Sequence, residues 1–261
     1  MKKDQISGMY IKDQKKQHDY AVRIVRAPSH RTAVVTGASK RGSIGQAIVE
    51  MLTGIPYHSI HYPAEYQLDV TNPDQVERYF TSLAGMDTLI CSHGVNAMSW
   101  FENMSIMDIT RIIDVNLTGS AIVAHSFVNR TLGLPWRKQI IFIGSMAYNH
   151  VLNASAAYCA SKAGLAMLTR CLAWELAPKG YDVFCVHPSN TEGAPMTEDT
   201  IQGIMSYRNV PREEAEGYWG AVLPRHRWLQ PKDIARTIEH LLKDESGYLS
   251  GANLELAGGQ R

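Results

Sequence analysis

The chain has no long uncharged apolar run: no stretch of its 261 residues approaches the roughly 20 needed to span a bilayer. The lysine-rich start, MKKDQISGMYIKDQKKQHDYAVRIVR, lacks an apolar core of signal-peptide length. A cytoplasmic protein without a membrane partner is therefore expected. Cysteine is also sparse. Cys91, Cys159, Cys171 and Cys185 lie far apart and mostly inside apolar stretches, without the close pairs of zinc sites or redox motifs, so buried free thiols and no metal are expected. Charge of one sign is missing as well. With 26 Lys and Arg against 25 Asp and Glu, a net charge of +1 offers no global field for nucleic acid or anionic lipid. An anionic ligand would have to be held by a local arrangement, and the expected partners are small molecules and further copies of the chain.

What is present is the balance of an ordinary folded domain, 45% hydrophobic and 20% charged, at a length that suits one α/β unit. Residues 1–30 are polar and read as an amino-terminal extension, and 31–261 read as the domain. The run Thr32-Ala33-Val34-Val35-Thr36 stops at Gly37, as a buried parallel strand entering a glycine turn does. From Ile44, apolar residues recur at helical spacing until Gly54 and Pro56. Further strands are expected at 58–62, 66–70, 88–91, 139–143, 182–187 and 253–256, with helices at 73–83, 106–130, 156–177 and 231–243. Strands alternating with helices predict a doubly wound parallel sheet covered on both faces, a single-domain Rossmann-type fold. The stretch 191–227 shows little periodicity and reads as a mobile substrate lid.

Two constellations carry chemistry. Thr36-Gly37-Ala38-Ser39-Lys40-Arg41-Gly42-Ser43-Ile44-Gly45 lies between strand and helix, where glycines let the backbone approach a pyrophosphate at the helix amino terminus, so a dinucleotide is the natural ligand. In the second, Ser145 follows the apolar strand Ile140-Ile141-Phe142-Ile143, while Tyr158 and Lys162 share a face of the helix AAYCASKAGLAMLTRCLAWEL. A free phenol titrates near 10, and an adjacent ammonium group lowers that value, so Lys162 is expected to make Tyr158 the better proton carrier. Ser145, at the carboxyl edge of the sheet, can hydrogen-bond a substrate carbonyl or alcohol.

From Thr32 to the carboxyl terminus the chain resembles a classical short-chain dehydrogenase/reductase. The glycine loop resembles the family's TGxxxGxG, Ser145 with Tyr158 and Lys162 matches its Ser and YxxxK, and Asn116 in Asp114-Val115-Asn116-Leu117 matches its asparagine. Leu68-Asp69-Val70-Thr71 resembles the segment that meets adenine, and Gly251 with Ala257-Gly258-Gly259 resembles the carboxyl-terminal ending. The resemblance implies Tyr158 as general acid/base, Ser145 as carbonyl orienter, Lys162 as ribose anchor and Asn116 as holder of a relay water. It implies an NAD(P) cofactor meeting Gly37, Ser39, Lys40, Arg41, Ser43, Ile44, Asp69, Val70, His93, Gly94, Tyr158, Lys162, Pro188 and Thr191. It also implies a homo-oligomer, dimer or tetramer, with 251–261 near a subunit interface.

The chain departs from the family in instructive places. Its glycine loop is one residue longer, and Ser43-Ile44-Gly45 resembles the loop of enoyl-thioester reductases. The NNAG segment is Cys91-Ser92-His93-Gly94, which puts His93 beside the expected nicotinamide ribose. Only seven residues separate Tyr62 from Val70, so the fold is shortened between its second and third strands. Where NAD enzymes carry an acidic residue stand His61 and Tyr62, and Lys40 with Arg41 can pair with a 2′-phosphate, favouring NADP over NAD. Glu65 keeps NAD in play. After Pro188, Ser189 and Gly193 replace the family's glycine and threonine, leaving Thr191 to approach the carboxamide. Met196, Met205, Tyr207, Tyr218 and Trp219 are candidate lid contacts to an apolar substrate. These features predict hydride transfer between NAD(P)(H) and a carbonyl/secondary-alcohol pair. A catalytically weak nucleotide-binding or scaffolding protein on the same fold, and an enoyl reductase, are the alternatives.

Overall fold

A parallel sheet is the product of strands that are buried on both faces. In the computed structural model, which describes residues 31–57, 59–221, 224–225 and 227–259, the strands are β1 (Thr32–Thr36), β2 (Ser59–His61), β3 (Met86–Cys91), β4 (Lys138–Ile143), β5 (Tyr181–Pro188) and β6 (Asn253–Leu256). They pair in the order β2-β1-β3-β4-β5-β6, every pairing parallel. The extension expected over residues 1–30, and His58 of the second expected strand, lie outside the described residues.

Side-chain alternation divides the core into two layers. Val34, Leu89, Cys91, Ile140, Phe142, Val183 and Cys185 pack on one face, against α2 (Pro73–Thr81), α4 (Gly119–Thr131) and α5 (Ala156–Leu176). Ala33, Val35, Ile90, Ile141, Ile143, Phe184 and Val186 pack on the other, against α1 (Ile44–Thr53) and α8 (Pro231–Lys243). Helix starts are fixed locally: the Ser43 hydroxyl accepts from Gln46 N at 3.0 Å to begin α1, and Asn72 accepts from Gln75 N at 3.1 Å to begin α2.

Because the chain leaves β1 for β2 on one side and returns to β3 on the other, a crevice opens between β1 and β3 at their carboxyl ends, the usual ligand position in such sheets. Gly37 sits at that point with φ +72°, and a Cβ on it would lie 2.5 Å from the backbone nitrogen of His93. Gly45 does the same for the following helix, since its Cβ would meet the Gly37 carbonyl oxygen at 2.6 Å.

Three expected elements differ. The strand at 66–70 is absent: the Gln67 and Leu68 amides both turn back to Ala64 O, and Asp69 closes on Thr71. Leu68 and Val70 are buried two residues apart, which mimics strand alternation, but the chain has already turned on itself and no neighbouring strand pairs with it. The single helix at 106–130 is divided into α3 (Ile106–Ile113) and α4 by a π-helical turn over Asp114–Thr118 that contains Asn116. The weakly periodic 191–227 stretch holds two helices, α6 (Pro195–Arg208) and α7 (Arg212–Ala221), separated at Asn209 in the left-handed conformation, φ 54°.

Gly45→Ala forces its methyl group against backbone rather than against a movable side chain. Equilibrium unfolding in urea is expected to show a loss of about 1–3 kcal/mol, far more than the same change at Gly217, where an added Cβ meets nothing within 4 Å.

Candidate active site

The carboxyl ends of β1, β3, β4 and β5 open into one cavity of about 900 Å³. Its walls bring together Gly37, Ser39, Lys40, Ser43, Ile44, Asp69, Val70, His93, Gly94, Ser145, Tyr158, Lys162, Pro188 and Thr191. Two expected residues are not in its wall. Arg41 is exposed and does not line it, whereas Lys40 does. Asn116 is fully buried behind it: its Oδ1 accepts from Val95 N at 2.8 Å, and its amide donates to Val95 O at 2.9 Å and to Ser161 Oγ at 3.0 Å. The side chain thus clasps the segment after β3.

The π-turn explains how this is possible. An extra residue in the turn swings Asn116 inward, and its carbonyl is met by the Ser120 hydroxyl at 2.8 Å. Ser120 spends its proton there, so it can only accept from His93 Nε2, 3.1 Å away. His93 Nδ1 then accepts from the Thr36 hydroxyl at 2.6 Å. One directional chain therefore runs from Thr36, at the start of the glycine turn, through His93 and Ser120 to Asn116, and onward through Ser161 to the carbonyl of Tyr158. His93 is neutral in this chain. Burial, and then the Lys162 charge, push its pKa down to about 3.

Tyr158 and Lys162 lie one turn apart on α5, both buried, with the ammonium 5.6 Å from the ring centroid. The expected lowering of the phenol does not appear. Burial pushes Tyr158 up to about 12, against a hydrogen bond from Ser145 that pulls it down. Lys162 donates to Ile143 O at 3.0 Å, and burial brings its own pKa down to about 8. The site is dry enough that the cost of charging the phenol outweighs the help of its neighbour. The phenol hydroxyl points to Met196 Sδ, 3.8 Å away at the base of α6.

Ser145 is held from behind by a residue that periodicity does not reveal. His187 on β5 is fully buried; its Nε2 lies 2.8 Å from Asn253 Oδ1, and its Nδ1 meets the Ser145 backbone, 3.2 Å from its N and 3.0 Å from its O. The imidazole fills the space where Gly144 would carry a side chain, with Nδ1 2.3 Å from the Cβ position. Tyr148 stacks on it at 3.8 Å and donates to Glu255 at 2.6 Å. The only sequence signal was a histidine in the last turn of an otherwise apolar strand.

The cavity suits a dinucleotide. Ser43 caps α1, so the amides of its first turn face the crevice. Gly94 leaves open the space between Lys162 Nζ and Met196 Cε, which would lie 3.5 and 3.7 Å from a Cβ there. Asp69 is spent on the Thr71 amide and hydroxyl, at 2.9 and 2.7 Å, and does not cap α2. Thr191 lines the cavity with its hydroxyl on Ser189 O, and its segment is bridged to Leu229. Of the lid candidates, Met196, Tyr207 and Tyr218 reach the cavity, Met205 packs with Ile201 and Ile204 outside it, and the Trp219 side chain lies outside the described residues.

The His93 shift has a pH consequence. An unfolded histidine takes up its proton near 6.5, the folded one near 3, so between these values the unfolded state binds more protons and stability falls as pH falls. Thermal unfolding is expected to show Tm dropping from pH 6.5 towards pH 4, with the drop reduced in His93→Asn.

Known proteins supply the same frame. A family model described as Enoyl-(Acyl carrier protein) reductase matches residues 34–261. The 3-oxoacyl-(acyl-carrier-protein) reductase of Rickettsia bellii is 27% identical over 88% of this chain and 97% of its own. Glucose 1-dehydrogenase 2 of Bacillus subtilis is 27% identical over 88% and 94%. Among solved structures, sorbitol-6-phosphate 2-dehydrogenase of Erwinia amylovora superposes with a TM-score of 0.80, at 22% identity over 88% of this chain and 99% of that one. The chain belongs to the short-chain dehydrogenase/reductase family of NAD(P)-dependent oxidoreductases.

Proposed function

We propose that the protein transfers hydride between NADP(H) and a carbonyl/secondary-alcohol pair, with Tyr158 as general acid/base. The observation that carries this is the meeting of the Tyr158 phenol, the Ser145 hydroxyl and the glycine turn in one cavity. The bound dinucleotide supplies the hydride or accepts it. Ser145, fixed by His187, orients the substrate oxygen. Tyr158 gives that oxygen its proton as the carbon–hydrogen bond forms, so a ketone, a hydride and a proton become an alcohol. Since burial keeps the phenol protonated at neutral pH, reduction begins from the form of Tyr158 that is already populated. Lys162, across the open space at Gly94, would hold the nicotinamide ribose of a bound dinucleotide.

The choice of cofactor rests on the adenosine end, where Lys40 faces the cavity together with Pro63, Glu65 and Asp69. Lys40 is the cation placed for a 2′-phosphate. NAD would use Glu65 as acceptor for the ribose hydroxyls. An enoyl reductase is disfavoured by the four-residue interval from Tyr158 to Lys162, and the relatives described above act, by their names, on ketone or alcohol groups. An inactive scaffold is disfavoured by the buried hydrogen-bond chain that leads to Tyr158. The cytoplasm as the compartment, and a dimer or tetramer as the assembly, complete the reading; among the described residues no helix is long and apolar enough to cross a membrane.

Tyr158→Phe is expected to lower kcat by at least about a hundredfold, while NADPH fluorescence titration still shows binding. Unchanged turnover would refute the role of Tyr158. Lys40→Ala is expected to raise the KM for NADPH about tenfold, the loss of one charge-assisted pair, and to leave the KM for NADH nearly unchanged.

A further inference from the structure

The cavity does not end at Tyr158. One face of α6 lines it throughout: Met196, Thr200, Ile204, Tyr207 and Arg208, at steps of four, four, three and one. Met196 touches the catalytic phenol, and Arg208 follows it by twelve residues, about 18 Å along the helix at 1.5 Å per residue. The wall is therefore a ruler with a proton donor at one end and a guanidinium at the other. Between them, besides Asp199, lie a thioether, a threonine and an isoleucine. Met98, packed on α6, and Val95 add further uncharged lining.

The guanidinium is unusual among its neighbours. Arg212, close by in the lid, is matched to carboxylates: Glu198 at 2.8 Å and Glu216 at 2.7 Å. Arg208 has aromatic partners instead. Its Nε donates to the Tyr207 hydroxyl at 3.0 Å, and its carbon lies 4.1 Å from the Tyr218 ring centroid and 5.5 Å from that of Tyr207. Among the described residues no carboxylate pairs with it. Hydrogen bonds to Tyr207 and Tyr218 and stacking on their rings hold the planar group in place without neutralising it, and a guanidinium has donors enough to grip an oxyanion in two-pronged fashion as well. Asp199, the acidic group on the cavity face of α6, lies nine residues back towards the catalytic end, too far along the helix to neutralise it.

We propose that Arg208, held between Tyr207 and Tyr218, seats an oxyanion, phosphate or carboxylate, at the far end of an elongated carbonyl substrate whose uncharged stem lies along α6. This deepens the carbonyl-reductase reading and rests on it for the position of the reacting carbon. It also gives the lid a chemical purpose: α6 and α7 are pinned together by the same arginine that meets the ligand.

The test uses one 3-oxobutanoyl thioester on a pantetheine arm, ended in a hydroxyl, a phosphate or a hemisuccinate. With the full chain, KM for an anionic form is expected to be about tenfold below that of the hydroxyl form. The phosphate and hemisuccinate arms tell which oxyanion the seat prefers. In Arg208→Gln that ratio is expected to fall to near one, and raised salt is expected to shrink it in the wild type. Binding of pantetheine and its phosphate, without the acyl group, is measured in parallel by calorimetry. A phosphate preference there, lost in Arg208→Gln, sustains the seat even if no carbonyl is turned over. No preference for either anion in the wild type, or a preference that survives Arg208→Gln, would overturn it and leave Arg208 a clamp between two helices.

Discussion

Everything in this molecule hangs on how closely the turn after β1 approaches the segment after β3. Gly37 lies against the backbone of Ser92 and His93, and any side chain there would drive apart the two strands between which the crevice opens. The same contact sets Thr36 within reach of His93, and from His93 the hydrogen bonds lead to the π-turn and to α5. A backbone approach that only glycine permits thus places the glycine turn and the helix that carries Tyr158 in one fixed relation.

Burial is the second organising influence, and it acts in opposite senses on the groups it touches. It raises the pKa of the Tyr158 phenol and lowers those of Lys162 and His93, in each case favouring the neutral form, although Lys162, at about 8, still carries its charge at neutral pH. That suits a reaction in which a neutral ketone receives hydride and proton nearly together, and it makes the protonation of each residue depend on what enters the cavity. His187 extends the same logic behind Ser145. Burial favours its neutral imidazole, which is held between Asn253 and the backbone of the serine.

The parts legible in the sequence are those where one local rule governs. Strand, glycine turn and capped helix appear where Thr32 to Gly45 place them, and the spacing of Tyr158 and Lys162 survives because an α-helix leaves it no freedom. Less legible are the parts set by tertiary partners. Leu68 and Val70 alternate like a strand, yet pairing needs a neighbour, and residues 62–72 close on themselves. The lid hides its helices because α6 is packed on one side and lines a cavity on the other, which blurs the apolar stripe. The tyrosine's titration could not be read from spacing at all: proximity of a lysine favours the phenolate, but how deeply both are buried decides the balance. Arg41 likewise matches a phosphate ligand by type and position in the loop, but only its neighbour Lys40 lines the cavity.

Direct hydride transfer to a carbonyl carbon is tested most directly by isotope tracing. NADPH carrying deuterium at the nicotinamide C4, in each of its two stereochemical forms, is incubated with the protein and a ketone in ordinary water, and the alcohol is examined by NMR. From one of the two forms, deuterium is expected on the carbinol carbon and solvent protium on the oxygen, as the placement of Tyr158 beside the crevice requires. Deuterium on the β carbon of an enone substrate, as reduction of its carbon–carbon double bond would give, or no deuterium in any product from either form, would contradict it.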